Sequence, residues 1–130
     1  MIKWPEKKTE KFAFIFWFCI LGAVTVGSLL PKLSPPGDSF GFDKILHASA
    51  FVLLSGIPLY AVSNRKAAIL IALSVAPYGY LLEFLQQSIP GREFSPQDLI
   101  ANNLGALLGL ALGVLFRVKT RYFSAPGENK

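Results

Sequence analysis

Apolar residues fall in four long blocks along this chain, without the residue-by-residue alternation of a half-buried strand. The first block, Phe12 to Leu30, carries no charge at all. The second starts at Asp43-Lys44 and runs through ILHASAFVLLSGIPLYAV to Val62. The third, AAILIALSVAPYGYLLEFLQQ, covers Ala67 to about Gln87, and the fourth, DLIANNLGALLGLALGVLF, covers Asp98 to Phe116. A helix of about 20 apolar residues crosses the hydrocarbon core of a bilayer and satisfies all its backbone groups internally. The pattern predicts helices at about 12–30, 43–62, 67–87 and 98–116. The expected fold class is all-α: a polytopic membrane protein with four transmembrane helices in two hairpins, forming a single domain over residues 1–130.

The breaks between blocks support this division. PKLSPPGDSFGF at 31–42 holds three prolines and two glycines and cannot continue a helix. Ser63 to Lys66 is a short polar turn that sends the next helix back antiparallel. SIPGREFSPQ, covering 88–97, is a second proline-containing loop, and the basic tail from about 118 to 130 is expected to be disordered. Kinks are expected near Gly56-Pro58 and Pro77-Gly79, which membrane helices accommodate when neighbours satisfy the freed backbone.

Composition agrees. Of 130 residues, 52% are hydrophobic and 16% charged, against about 25% charged in soluble domains. The net charge of +5 does not suggest nucleic acid, because the basic residues flank apolar blocks instead of forming a patch. Lys3, Lys7, Lys8 and Lys11, then Arg65 and Lys66, then Arg117, Lys119, Arg121 and Lys130 all fall on one side of the expected helices. Only Lys32, Lys44 and Arg92 fall on the other. By the positive-inside rule both termini are cytoplasmic, and loops 31–42 and 88–97 face outward. The first block is long for a signal peptide and no A-x-A site follows it, so an uncleaved helix is expected. Cys19 is the lone cysteine, so no intrachain disulfide forms; it reads as a small hydrophobe.

Polar residues inside the blocks are the candidates for chemistry. Glu83 lies four residues before the end of the third block, about 6 Å inside the boundary at a rise of about 1.5 Å per residue. Intramembrane acids mark functional sites by default, although a snorkelling or neutral side chain is the plain alternative. Gln86 and Gln87 follow at helical spacing on its face. Asp43 and His47 form an i, i+4 pair, repeated by Asp98 and Asn102. The plain reading of Asp43 is an N-cap of the second helix, favoured also by the helix dipole, and Ser95-Pro96-Gln97-Asp98 reads as a capping box with Pro96 at the first helical position. Arg92 suits a phosphate or carboxylate, an ion pair with Glu93 or Asp98, or a lipid phosphate. The two outer loops also match, Ser34-x-Pro36-Gly37-x-x-Phe40 with Ser88-x-Pro90-Gly91-x-x-Phe94, as in a parallel repeat that brings two helix starts face to face. Ala101, Gly105, Gly109 and Gly113 form a small-residue stripe for close helix packing, within the chain or in a homodimer. No phosphate loop, CxxC, HExxH or GxSxG is present. His47 with Asp43, Glu83 and Asp98 would be an oxygen-rich set of the kind Mg²⁺ or Mn²⁺ takes. A hydrogen-bonding role for His47 serves as well, and no metal or cofactor is expected.

Together these motifs suggest a family. D-K-x-x-H at 43–47, E-x-x-Q at 83–86, R-x-F at 92–94 and D-x-x-x-N-x-x-G at 98–105 resemble the VanZ-like family of small bacterial membrane proteins. The resemblance covers residues 43 to about 113. It implies a multi-spanning protein of the bacterial plasma (inner) membrane, in a family with one member linked to resistance against the glycopeptide teicoplanin. It also implies a residue set: Asp43, Lys44, His47, Glu83, Gln86, Arg92, Asp98 and Asn102. The expected function is an outward-facing polar pocket that binds or modifies a lipid-linked anionic envelope molecule. Glu83 and His47 would be its acid–base groups and the other six would contact the ligand. A non-catalytic structural or adaptor subunit is the alternative, and a small transporter a second. Expected partners are membrane lipids or a lipid-linked envelope precursor, and no nucleic acid.

Overall fold

Every described element is helical. A computed structural model describes residues 7–31 and 41–123, with side chains through 120. It contains α1 (Lys8–Leu29), α2 (Phe42–Ala61), α3 (Arg65–Gln86) and α4 (Pro96–Phe123). All four contain a stretch long and apolar enough to cross a membrane, as the block pattern predicts. Phe12, Ile15, Phe16, Leu70, Leu104, Leu107 and Leu115 are exposed around the outside, an apolar exterior suited to lipid and not to water.

The helix ends depart from expectation at two places. α1 begins at Lys8 and takes in Glu10 and Lys11, because a polar first turn costs little where it leaves the hydrocarbon. The tail is not disordered from 118: α4 continues unbroken to Phe123. Arg117 anchors this extension by donating from Nη1 to the carbonyls of Leu59 (3.0 Å) and Val62 (2.8 Å) and from Nη2 to that of Ser63. The short turn after α2 closes as predicted. Asn64 caps α3, its Oδ1 accepting from Ala67 N–H at 3.0 Å. Residues Ser34 to Phe40, one half of the expected loop repeat, lie outside the described residues.

α2 and α4 run side by side in the same direction and form the spine. Their closeness depends on the predicted glycine stripe: a Cβ on Gly105 would collide with the Ala48 carbonyl, and one on Gly109 with that of Val52. One turn on, a Cβ at Gly113 would meet Leu59 Cδ1 at 2.5 Å. Only a hydrogen side chain allows two helix backbones this near. The two helix starts at Asp43 and Asp98 therefore sit together, as the matching loops imply. The relation is not fully twofold: α3 packs on α2, but among the described residues α1 makes no close backbone approach to α4.

α1 is tied on by side-chain bonds. Pro58 lies inside α2 and has no N–H, so the Leu54 carbonyl, four residues earlier, loses its helical donor. Trp17 Nε1–H supplies one across the helix gap at 2.7 Å. Higher up, the Thr25 and Tyr78 hydroxyls lie 2.8 Å apart and join α1 to α3. The apolar core between these ties is Phe51, Leu54, Val75 and Leu82.

Candidate functional site

At one end of the bundle α1 and α3 finish and α2 and α4 begin. There a polar cleft of about 780 Å³ opens, walled by residues of 41–44 and 91–98 together with Gln86. Five of the eight predicted site residues line it: Asp43, Lys44, Gln86, Arg92 and Asp98. Lys44 Nζ lies 3.8 Å from Asp98 Oδ1, a pairing between the starts of α2 and α4. His47 sits one turn beneath Asp43, with Nε2 3.6 Å from Asp43 Oδ1, and its side chain is 15% exposed.

Glu83 does not snorkel. It is 1% exposed, and its Oε2 accepts the Ser95 backbone N–H at 3.2 Å. Ser95 in turn caps α4, with Oγ accepting from Asp98 N–H at 3.2 Å. In a full capping box the residue at position 98 would reach back to the Ser95 N–H. Glu83 takes that place from another helix, and the Asp98 carboxylate faces Lys44 instead. The charged or titratable groups near enough to act on Glu83 are Asp98, His47 and Arg92. Asn102 is 2% exposed, and its Oδ1 has no hydrogen-bond partner among the described residues. It lies beside Gly79, where an added Cβ would be 3.5 Å from Asn102 Cβ.

Gln86 and Arg92 are partly occupied by the fold. Gln86 Nε2 donates to the Ser28 carbonyl at 3.0 Å. Arg92 donates from Nε to Leu30 O at 2.8 Å and from Nη2 to Gly27 O at 3.2 Å. These are end carbonyls of α1 and its cap, the orphan acceptors that any helix C-terminus leaves. Among the described residues Arg92 pairs with neither Glu93 nor Asp98. Gln87, expected on the face of Glu83, is exposed at the end of α3. No three of His, Cys, Asp and Glu gather as a metal-ligand set among the described residues.

A family model described as VanZ/LLP1 matches residues 4–117. The chain belongs to the VanZ/LLP1 family. No curated protein and no solved structure matches it. In this VanZ/LLP1 protein the four motif segments, distant in sequence, meet at one end of the bundle. Sequence reasoning did not anticipate the roles of Gly27, Ser28 and Leu30, whose carbonyls receive Gln86 and Arg92. Backbone acceptors leave no signature in residue type. The Ser95 N–H that meets Glu83 was equally invisible, although the Ser95 cap itself was legible.

Proposed function

We propose that this protein lies in a bacterial plasma membrane and binds the anionic head group of a lipid-linked envelope molecule in the cleft between 41–44 and 91–98. Both termini are then cytoplasmic and the cleft faces outward, as the distribution of basic residues favours. The observation carrying the reading is the cleft itself, a polar space of about 780 Å³ at the end of four apolar spans, with Lys44 and Arg92 on its wall. A lipid-linked ligand keeps its chain in the bilayer and presents its phosphate at that level. Arg92 has five N–H donors, and bonds to two carbonyls leave others for phosphate oxygens. Among the described residues Lys44 is held by the 3.8 Å pairing to Asp98 and is 43% exposed, so it exchanges readily for a phosphate. Glu83 and His47 lie just beneath and are the groups suited to move a proton in any chemical step.

A structural or adaptor subunit is the second reading. Its support is that Glu83, Gln86 and Arg92 all bridge separate segments of the bundle. One experiment separates the two. The protein, reconstituted in nanodiscs, is offered a polyprenyl phosphate and the neutral polyprenol. Preferential capture of the phosphate is expected, weakened about 5-fold or more in Lys44→Ala by loss of a charge worth ~1 kcal/mol. Glu83→Gln, whose amide oxygen still accepts the Ser95 N–H, is expected to leave membrane levels normal while abolishing any teicoplanin tolerance the protein confers. Equal capture of both lipids, unchanged in Lys44→Ala, would sink the pocket and leave the structural role.

A further inference from the structure

The opposite end of the bundle holds a second cavity, of about 510 Å³, in the gap left because α1 does not approach α4. Its walls come from the start of α1 (Lys7, Thr9, Glu10), the end of α2 (Leu59, Tyr60, Val62) and the last turns of α4 (Phe116, Arg117, Thr120). We infer that this groove is a binding site for an anionic glycerophospholipid of the surrounding membrane, separate from the proposed envelope-ligand cleft.

Three observations converge on that occupant. The first is charge. Lys7 and Arg117 line the groove beside Glu10, and Lys8, Lys11, Arg65, Lys66 and Lys119 lie at the same end outside it. Basic pockets between membrane helices are suited to anionic head groups. The second is the wall chemistry. Tyr60 and Phe116, their ring centroids 5.9 Å apart, are both partly exposed at the boundary between apolar span and polar end. Aromatic rings favour that level of a bilayer, and here they flank the path an acyl chain would follow from the groove into lipid. The third is preorganisation. Arg117 is fixed by the carbonyls of Leu59, Val62 and Ser63, so a cationic group stands at the groove before any ligand arrives.

Native mass spectrometry of the full chain, released from nanodiscs containing phosphatidylglycerol and phosphatidylcholine, tests this. One retained phosphatidylglycerol per chain is expected. Lys7→Ala should cut its retention about 5-fold, the effect of one surface cation near an anionic head group. Lys66→Ala removes the same charge from the same end but outside the groove, and should leave retention unchanged. Tyr60→Ala should weaken retention without changing the preference for the anionic lipid. Equal losses in Lys7→Ala and Lys66→Ala would show only a general basic surface and overturn the site. Displacement of the lipid by millimolar glycerol phosphate would make free phosphate, not lipid, the occupant and overturn it as well. Neither result depends on what the other cleft binds.

Discussion

The two ends of this bundle solve one physical problem in the same way and then diverge. At each end an arginine covers the orphan carbonyls of a neighbouring helix: Arg92 those at the end of α1, Arg117 those at the end of α2. Among the described residues at the end that holds Arg117 the other charges are basic except Glu10. Around Arg92 they are mixed, with Asp43, Lys44, Glu93 and Asp98 in the cleft and Glu83 and His47 beneath. Arginine alone is therefore no indicator of chemistry here, since it does a structural job at both ends. What distinguishes the cleft end is Glu83 with His47 and Asn102, groups for which helix termination gives no reason, whereas Asp43 and Asp98 lie in first helical turns.

The largest effect expected removes what both ends share. Gly109→Leu would drive a side chain into the Val52 carbonyl, and overpacking of this kind costs about 3 kcal/mol. Loss of folded protein from detergent extracts is expected, and a normal thermal melt would refute the spine. Next come the two arginines. Arg117→Ala uncovers three carbonyls and should cost about 2–3 kcal/mol, Arg92→Ala about 1–2 kcal/mol, in the range for hydrogen bonds from charged groups. Melting temperatures in one detergent would rank them, and the reverse order would mean that the cleft end bears more of the fold than its bonds suggest. Lys44→Met is expected to change stability least, by about 0–1 kcal/mol, since an exposed ion pair contributes little and is screened by salt. A larger loss that persists in high salt would place Lys44 in the framework and not in the ligand wall.

Much of the architecture was legible from residue type. Four long, mostly apolar blocks can be little else in a chain this size, and the repeat of small residues from Ala101 to Gly113 announced a close helix contact. The site was legible as a neighbourhood: the segments at 43–47, 83–86 and 98–105 carry polar residues within or at the ends of apolar blocks, and 92–94 lies in the loop that joins the last two. Their bonding was not. Gln86 and Arg92 reach carbonyls of α1, and a backbone oxygen looks the same in every residue. The extent of α4 was also hidden, because Arg117 and Lys119 look like the end of a span until the carbonyls of α2 are placed beside them. Hydropathy reports where a helix leaves lipid, which is not where the helix stops.

Trp17 has a consequence for biogenesis. Until its indole N–H arrives, the Leu54 carbonyl of α2 has no donor, because Pro58 has removed the one its own helix would provide. In hydrocarbon an unsatisfied backbone group costs several kcal/mol. The first hairpin should therefore leave the translocation machinery as a pair, with α1 waiting at the exit for α2 instead of diffusing away. A Trp17→Phe chain would test this timing: its first two segments should remain longer in contact with the insertase, as measured by site-specific crosslinking of nascent chains.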